Sequence, residues 1–380
     1  MGTVDGTAEP RFDRLRERLQ ANLDDGTEAG ASVCAVHDGR VVVDLWGGLA
    51  DVETGTAWQR DTVVNTFSLT KTMTALAALL LVDAGQLDLD APVAAYWPEF
   101  AEAGKAGVLV RHVLGHTSGV SGWEQEVTLA DLYDTEAASA LLAAQAPWWS
   151  PGSASGYHAL SQGHLVGEIV LRVTGQTLGQ FFAAEIGGPM RADYYIGTPE
   201  RVDPRIAIMV APPRSEVDLK ALPPQSLTRK TLLNPGVDVR QVRTRQWREA
   251  ELGAVNGHGN ARSVATVQAL VSHGGSVDGG PALRRSTIDR IFEVQADGID
   301  QVLGLPLRFG IGYGLAHPSA QPEIRQGRVC WWTGYGGSIV INDLDRRLTI
   351  AYVMNKMGSA LIGLARGAQY LQAVYEALDS

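Results

Sequence analysis

At 380 residues the chain exceeds the usual domain length of roughly 100–200 residues, so two lobes, or one domain carrying a large insertion, are expected. A composition 45% hydrophobic and 19% charged supplies an ample core, and the 43 glycines are spread along the chain, which excludes collagen-like and low-complexity architectures. The net charge of −10 argues against nucleic acid or an anionic membrane surface as partner, because both attract faces rich in Lys and Arg.

The N-terminal stretch lacks the apolar core of a signal peptide, and the longest apolar run, 75–82, is far shorter than the roughly 20 residues that span a bilayer. A cytoplasmic location is expected on those grounds. Residues 11–24 carry helical apolar spacing (Phe12, Leu15, Leu19, Leu23) among alternating charges, which predicts a surface-packed helix. Residues 31–48 read as two strands joined at Asp38-Gly39, a dipeptide suited to a tight hairpin. The run from Ser68 to Gly85 predicts a helix with apolar residues on nearly all sides, hence buried. From about 90 to 255 the pattern becomes helices between Pro/Gly loops, with a helix over 160–174 and a Pro-rich excursion at 211–236. The positive residues between 230 and 248 are interspersed with Asp238 and Glu249 and read as a solvated face. A helix over 264–272, strands over 337–342 and 348–354, and a last helix at about 360–378 complete the chain. Cys34 and Cys330 lie in strand-like contexts without metal-ligand spacing and read as reduced core thiols. Strands at both ends with helices between predict an α+β sandwich: one antiparallel sheet built from the two terminal segments, flanked by helices.

The chemistry-bearing signal is Ser68-Leu69-Thr70-Lys71. A hydroxyl of ordinary acidity needs a nearby base to become a nucleophile, and residues three apart on a helix share a face. Burial in an apolar helix lowers the pKa of a lysine, so a neutral Lys71 amine is able to take the Ser68 proton. The helix N-terminus adds partial positive charge beside a developing oxyanion. The sequence contains no G-x-S-x-G elbow, no H-E-x-x-H and no G-x-x-x-x-G-K-[ST], so it lacks the signatures of α/β-hydrolases, zinc proteases and P-loop enzymes.

Around this pair the chain resembles the serine β-lactamase/penicillin-binding-protein superfamily, in particular the class C β-lactamase-like group that includes the family VIII carboxylesterases. The resemblance rests on Phe67-Ser68-Leu69-Thr70-Lys71, on 87–93 (LDLDAPV), on 114–119 (LGHTSG), on Pro151-Gly152 followed by Gly156-Tyr157-His158, and on Trp332-Thr333-Gly334 followed by Tyr335-Gly336-Gly337-Ser338. It covers roughly residues 30–378. It implies that Ser68 is the acylated nucleophile, Lys71 its partner, and Tyr157 a base toward Ser68 or water and an acid toward the leaving group, with a charged Lys71 stabilising the phenolate. It also implies an oxyanion hole from the backbone N–H groups of Ser68 and Tyr335, and no cofactor or metal. His116 and His158, beside these motifs, read as loop-packing residues.

Two departures bear on substrate. Class C β-lactamases carry Tyr-x-Asn where this chain has Ala159, and Lys-Thr-Gly where it has Trp332-Thr333-Gly334. An aromatic wall at 332 favours neutral, apolar groups over the carboxylate of a lactam. Trp148 and Trp149 are further candidates for the substrate surface. The expectation is a carboxylesterase acting on small neutral esters with at most weak β-lactam hydrolysis. The alternative is an acyltransferase passing the acyl group to an alcohol or amine acceptor, ahead of a D-amino-acid peptidase or amidase and of a catalytically retired binding protein. The expected organisation is a sheet domain from 1–95 and 256–380, a mostly helical domain from 96–255, and an active site between them.

Overall fold

The computed structural model describes residues 2–212, 218–277, 279–318, 320–360, 362 and 364–380. Nine strands form the path of the main sheet: β1 (Val4–Ala8), β2 (Gly30–His37), β3 (Arg40–Asp51), β4 (Ala296–Ile299), β5 (Pro306–Phe309), β6 (Gly314–Leu315), β7 (Val329–Thr333), β8 (Ile339–Asp343) and β9 (Leu348–Met354). Their spatial order is β1-β3-β2-β9-β8-β7-β6-β5-β4, with every neighbouring pair antiparallel. The two-residue strand Thr56–Ala57 pairs with β3 outside this path.

The β2–β3 hairpin turns at Asp38-Gly39, both with positive φ (48° and 77°), as a tight turn matched to strand twist requires. The N- and C-terminal segments meet where β2 pairs with β9, Ala31 opposite Met354 and His37 opposite Leu348. Along β9 the side chains alternate between two cores: Leu348, Ile350, Tyr352 and Met354 pack on one, Ala351 and Val353 on the other. A strand buried on both faces reads as a continuous apolar run, and LTIAYVM does so.

Two terminal helices, α1 (Asp13–Asp24) and α5 (Ala365–Asp379), cover the first core with Leu15, Leu19, Tyr370, Leu371 and Val374. On the opposite face lie α2 (Thr70–Asp83) and α4 (Ala261–Ser272), and α2 packs in turn against α3 (Ser161–Thr174). Helix α2 buries eleven of its fourteen residues, as its lack of a polar face predicts. Helix α4 begins three residues before the predicted start because the Asn260 side chain caps it, accepting from the Ser263 N–H at 2.9 Å. Short helices, including Val110–Leu114 and Thr135–Ala144, occupy the region between the two sheet segments. Of the Pro-rich stretch 211–236, residues 213–217 lie outside the described residues. The remainder includes the helix Leu227–Leu233, whose Thr228 hydroxyl donates to the Val302 carbonyl at 2.6 Å.

Strand β1 and the strands β4 to β6 have no counterpart in the sequence reading. Gly6 interrupts the pattern of β1: its φ of 102° and the approach of the Asp44 carbonyl to where a Cβ would sit admit only glycine. Strands β4 to β6 are four residues or shorter and contain Gly298, Pro306 and Gly314, too little sequence for an alternation to show.

The terminal helices are locked onto the sheet by Glu28, which is buried just after α1. Its carboxylate accepts from the Tyr352 and Tyr370 hydroxyls and pairs with Arg366 at 3.2 Å. Burial pushes this carboxyl above its ordinary pKa, with Arg366 opposing. Replacing Glu28 by Ala strands Arg366 without its counter-charge, so Glu28→Ala is expected to lower unfolding free energy by about 3 kcal/mol in urea titrations, and Glu28→Gln by less.

Candidate active site

The turn that presents Ser68 is fixed from three sides. A small antiparallel sheet of Val64–Asn65, His258–Gly259 and Tyr194–Tyr195 leads into it. The Thr66 N–H donates to the Gly257 carbonyl at 2.8 Å, and the Thr66 hydroxyl lies 2.8 Å from that of Tyr194. Phe67 then takes a left-handed backbone, φ 47°, uncommon for a bulky residue and of the kind held where surrounding structure over-determines it. Its ring packs edge-on against Tyr335 at 5.7 Å. The next residue, Ser68, is half-buried between buried neighbours at the mouth of α2.

Lys71, one helical turn on, is buried. Its Nζ lies 2.8 Å from the Ala159 carbonyl oxygen, 3.0 Å from that of Ala254 and 3.4 Å from Ser68 Oγ. It also stands 4.7 Å from the centre of the Tyr157 ring. Burial holds its pKa well below that of an ordinary lysine, and no carboxylate contributes to restoring the charge. A neutral amine has two N–H donors and one lone pair. The two carbonyl oxygens and Ser68 Oγ are the three groups within hydrogen-bond reach of Lys71 Nζ, and an amine that gave both N–H groups to the carbonyls would keep its lone pair for the serine.

Tyr157 is buried too, and its pKa is pushed up by that burial, while hydrogen bonding to Ser68 works against the rise. Sequence reasoning expected a cationic Lys71 to stabilise a Tyr157 phenolate. Desolvation works against the charge on both groups, lowering the pKa of Lys71 and raising that of Tyr157. The Tyr157 ring packs on Trp332 (5.4 Å) and His116 (5.1 Å). His116 Nδ1 accepts the His158 backbone N–H at 3.1 Å. The His158 ring bridges Ser118 Oγ and the Gly156 carbonyl, each at 2.6 Å, and burial pushes its pKa down to about 3. Both histidines are thereby spoken for by the loops that frame Tyr157.

Strand β7 supplies the third wall. Its alternation sends Trp331 into the rear core and Trp332 toward Tyr157, where it joins Phe309, Leu307 and Val302. Thr333 is buried at the end of the strand, opposite Ile339. Gly334 passes so close to the Ser68 turn that a Cβ there would sit 2.0 Å from the Thr66 carbonyl oxygen. Gly336 and Gly337, with φ of 95° and 124°, carry the chain back into β8. Among the described residues the Tyr335 N–H has no acceptor. Ser68 N–H belongs to the first turn of a helical segment, where backbone donors lack intrahelical partners. Ser68, Lys71, Tyr157, Trp332, Thr333, Gly334 and Tyr335 are thus brought to one place.

Trp148 and Trp149 sit differently. The Trp148 indole donates to Glu124 and stacks under Lys230, whose Nζ is 4.1 Å from the ring centre. Trp149 donates to the Ala154 carbonyl at 2.9 Å and fills the space beside Gly156, supporting the Tyr157 loop from behind. Among the described residues the Trp149 ring meets His158 and the Trp148 ring meets Lys230, and neither indole hydrogen-bonds to Ser68, Lys71 or Tyr157. Two groups at the site escape sequence reasoning: the Ala254 carbonyl, since a backbone acceptor carries no residue signature, and Asp300, whose carboxylate accepts the Tyr157 N–H at 3.0 Å. Among the described residues no cluster of three or more His, Cys, Asp or Glu is arranged to hold a metal ion.

A family model described as Beta-lactamase matches residues 15–374. The chain belongs to the beta-lactamase family. It is similar to the esterase/beta-lactamase LipL of Mycobacterium tuberculosis, 32% identical over 373 residues that make up 94% of this chain and 84% of LipL. Among solved structures it is similar to a family VIII carboxylesterase, at a TM-score of 0.92 and 37% identity over 98% of this chain and 99% of that one. A penicillin-binding protein homologue from Caulobacter crescentus superposes at a TM-score of 0.90 with 35% identity, over 98% and 99% of the two chains. The protein is a serine hydrolase of the beta-lactamase fold, esterase-like in its relatives. Among the described residues no helix is long and apolar enough to cross a membrane.

The Gly334 contact gives a direct test of how the walls are joined. Gly334→Ala is expected to push β7 from the nucleophile turn and lower kcat/KM for an activated ester about 100-fold, the scale of a 1 Å misplacement, with little change in the circular dichroism spectrum.

Proposed function

We propose that the protein is a carboxylesterase that cleaves small neutral esters through a Ser68 acyl-enzyme. The observation that carries this reading is Trp332, which stands on β7 where a lactam-binding relative presents a lysine. Its ring neighbours are Tyr157, Phe309, Trp331 and His116, and burial holds His116 neutral. An ester lacking a charged group fits such a wall. A carboxylate would be desolvated against it without a counter-charge, at a cost of several kcal/mol.

The proposed sequence uses the groups as they stand. The Ser68 oxygen attacks the ester carbonyl carbon while the Ser68 proton passes to the Lys71 lone pair. The tetrahedral oxyanion is held by the N–H groups of Ser68 and Tyr335, each such donor contributing about 2.7–4 kcal/mol. The carbon–oxygen bond to the alcohol breaks as the Tyr157 hydroxyl protonates the leaving oxygen, and the Lys71 ammonium returns a proton to Tyr157. Water then attacks the acyl-enzyme with the same groups reversed, releasing the acid and free Ser68.

Intact-mass analysis with a fluorophosphonate tests the nucleophile: one adduct is expected on the wild type and none on Ser68→Ala, and equal labelling would refute the assignment. Side-by-side assays with p-nitrophenyl butyrate and nitrocefin are expected to favour the ester by about two orders of magnitude in kcat/KM. Comparable values would sink the aromatic-wall argument. Adding 1-butanol to the ester assay and measuring butyl ester against free acid shows which nucleophile releases the acyl group.

The state of Lys71 fixes a pH dependence. Burial holds its pKa well below that of an ordinary lysine, so the reactive neutral amine persists to lower pH than an exposed lysine would allow and is lost as pH falls through that depressed value. Activity is therefore expected to fall on the acid side, and Lys71→Arg, whose guanidinium stays charged, is expected to be inactive at every pH between 5 and about 10. A Lys71→Arg enzyme with wild-type rates would refute the base role.

A further inference from the structure

Asp300 follows the edge strand β4 and has no solvent exposure. Its Oδ1 accepts three backbone N–H groups, those of Tyr157 (3.0 Å), Val302 (3.0 Å) and Leu303 (2.9 Å). Two of these belong to its own loop. The third belongs to the residue that carries the phenol. The loop is closed on itself by Asp300 N–H to the Leu305 carbonyl and Gly304 N–H to the Asp300 carbonyl, and it is tied a second time to the tyrosine segment by Gln301 N–H donating to the Ser155 carbonyl at 2.9 Å. The Val302 and Leu303 side chains then pack in the cluster that contains Tyr157 and Trp332.

Asp300 Oδ2 is buried without a hydrogen-bond partner, and among the described residues no cation is paired with the carboxylate. Such a group is expensive for a scaffold, because desolvating an ion costs several kcal/mol and a neutral acceptor would serve the two loop N–H groups as well. Its remaining bond, to the backbone of Tyr157, is where the expense has a chemical return.

We propose that Asp300 is the positioning residue of the esterase reaction, fixing the Tyr157 backbone so that the phenol stays against Ser68. This rests on the reading of Tyr157 as the proton donor to the leaving group. The negative charge of Asp300 acts in the same direction, disfavouring the phenolate and keeping the proton on Tyr157. Asp300 touches neither substrate nor reacting atoms; it acts through Tyr157.

The test uses the purified full-length enzyme with p-nitrophenyl butyrate, thermal melts checking that each variant is folded. Asp300→Ala is expected to lower kcat about 10- to 100-fold with KM within about threefold, the signature of misplaced rather than lost binding groups. Asp300→Glu, which keeps charge and acceptor but moves them by one methylene, is expected to lose about tenfold in kcat, and it serves where the alanine variant does not fold. Asp300→Asn retains an acceptor oxygen but not the charge and is expected to fall between the wild type and Asp300→Ala in kcat. A merely structural role is separated by the Tyr157→Phe background, in which Asp300→Ala and Asp300→Glu are expected to add less than about twofold, because the group they position is gone. If Tyr157→Phe is impaired while Asp300→Ala and Asp300→Glu keep wild-type kcat, or if their full loss persists in the Tyr157→Phe background, the role of Asp300 is overturned. If Tyr157→Phe itself keeps wild-type kcat, the proton-donor reading fails and this proposal fails with it.

Discussion

The contact of Lys71 with the carbonyls of Ala159 and Ala254 governs what the rest of the site is able to do. An ammonium carries three donors and no acceptor, and it is stable when buried only beside a negative charge or abundant dipoles. Here two carbonyl dipoles and the Ser68 hydroxyl are provided and no carboxylate, so the amine is oriented while burial disfavours its charge. The same two carbonyls come from segments far apart in the chain, one just after Tyr157 and the other before the small sheet that anchors the nucleophile turn. The placement of Lys71, the Tyr157 phenol and the Ser68 turn is therefore one geometrical problem rather than three. Displacement of any one of these segments would change the protonation preference of Lys71 as well as its position.

Much of this could be read in the amino acids, and the remainder could not for identifiable reasons. Asp38-Gly39 between two β-branched runs, the featureless apolar face of α2, and Ser68 with Lys71 at helical spacing each express their structure locally. So does the alternation of β7, which commits Trp332 to the site once Trp331 is committed to the core. Ala159 is the instructive case: as a side chain it marks a departure from the lactamase pattern, whereas its carbonyl is a partner of Lys71, and no sequence reports where a carbonyl points. Asp300 was equally silent, since one acid in a glycine-containing loop has no periodicity to betray it. The burial of Tyr157, which raises its pKa further, is a property that only the assembled fold defines.

The apolar cluster around Trp332 gives the region between the sheet segments a second task. Leu227 and Leu232, on the helix within the Pro-rich stretch, pack against the same group as Tyr157, Phe309 and Leu307, and Thr228 fastens that helix to the Val302 carbonyl. The loop that holds the phenol and the helix beside the aromatic wall are thus mutually braced. Side chains at 227, 232 and 303 are half-buried, in contrast to the buried strand residues behind them. Variation at those positions would alter the shape of the wall with little demand on the sheet and without touching Ser68, Lys71 or Tyr157.

The pairing of β2 with β9 also imposes an order on synthesis. His37 has its partner in Leu348, so the hairpin made early by the ribosome waits about three hundred residues for the strand that completes its sheet. An isolated two-stranded hairpin is marginal in water, and Ser68 lies directly downstream of it. A nascent chain already bearing Ser68 has neither β7 beside the serine turn nor β9 behind it. The assembled Ser68 site is for that reason completed only at the end of translation, since a chain interrupted before its last strands lacks the walls that β7 and β9 supply.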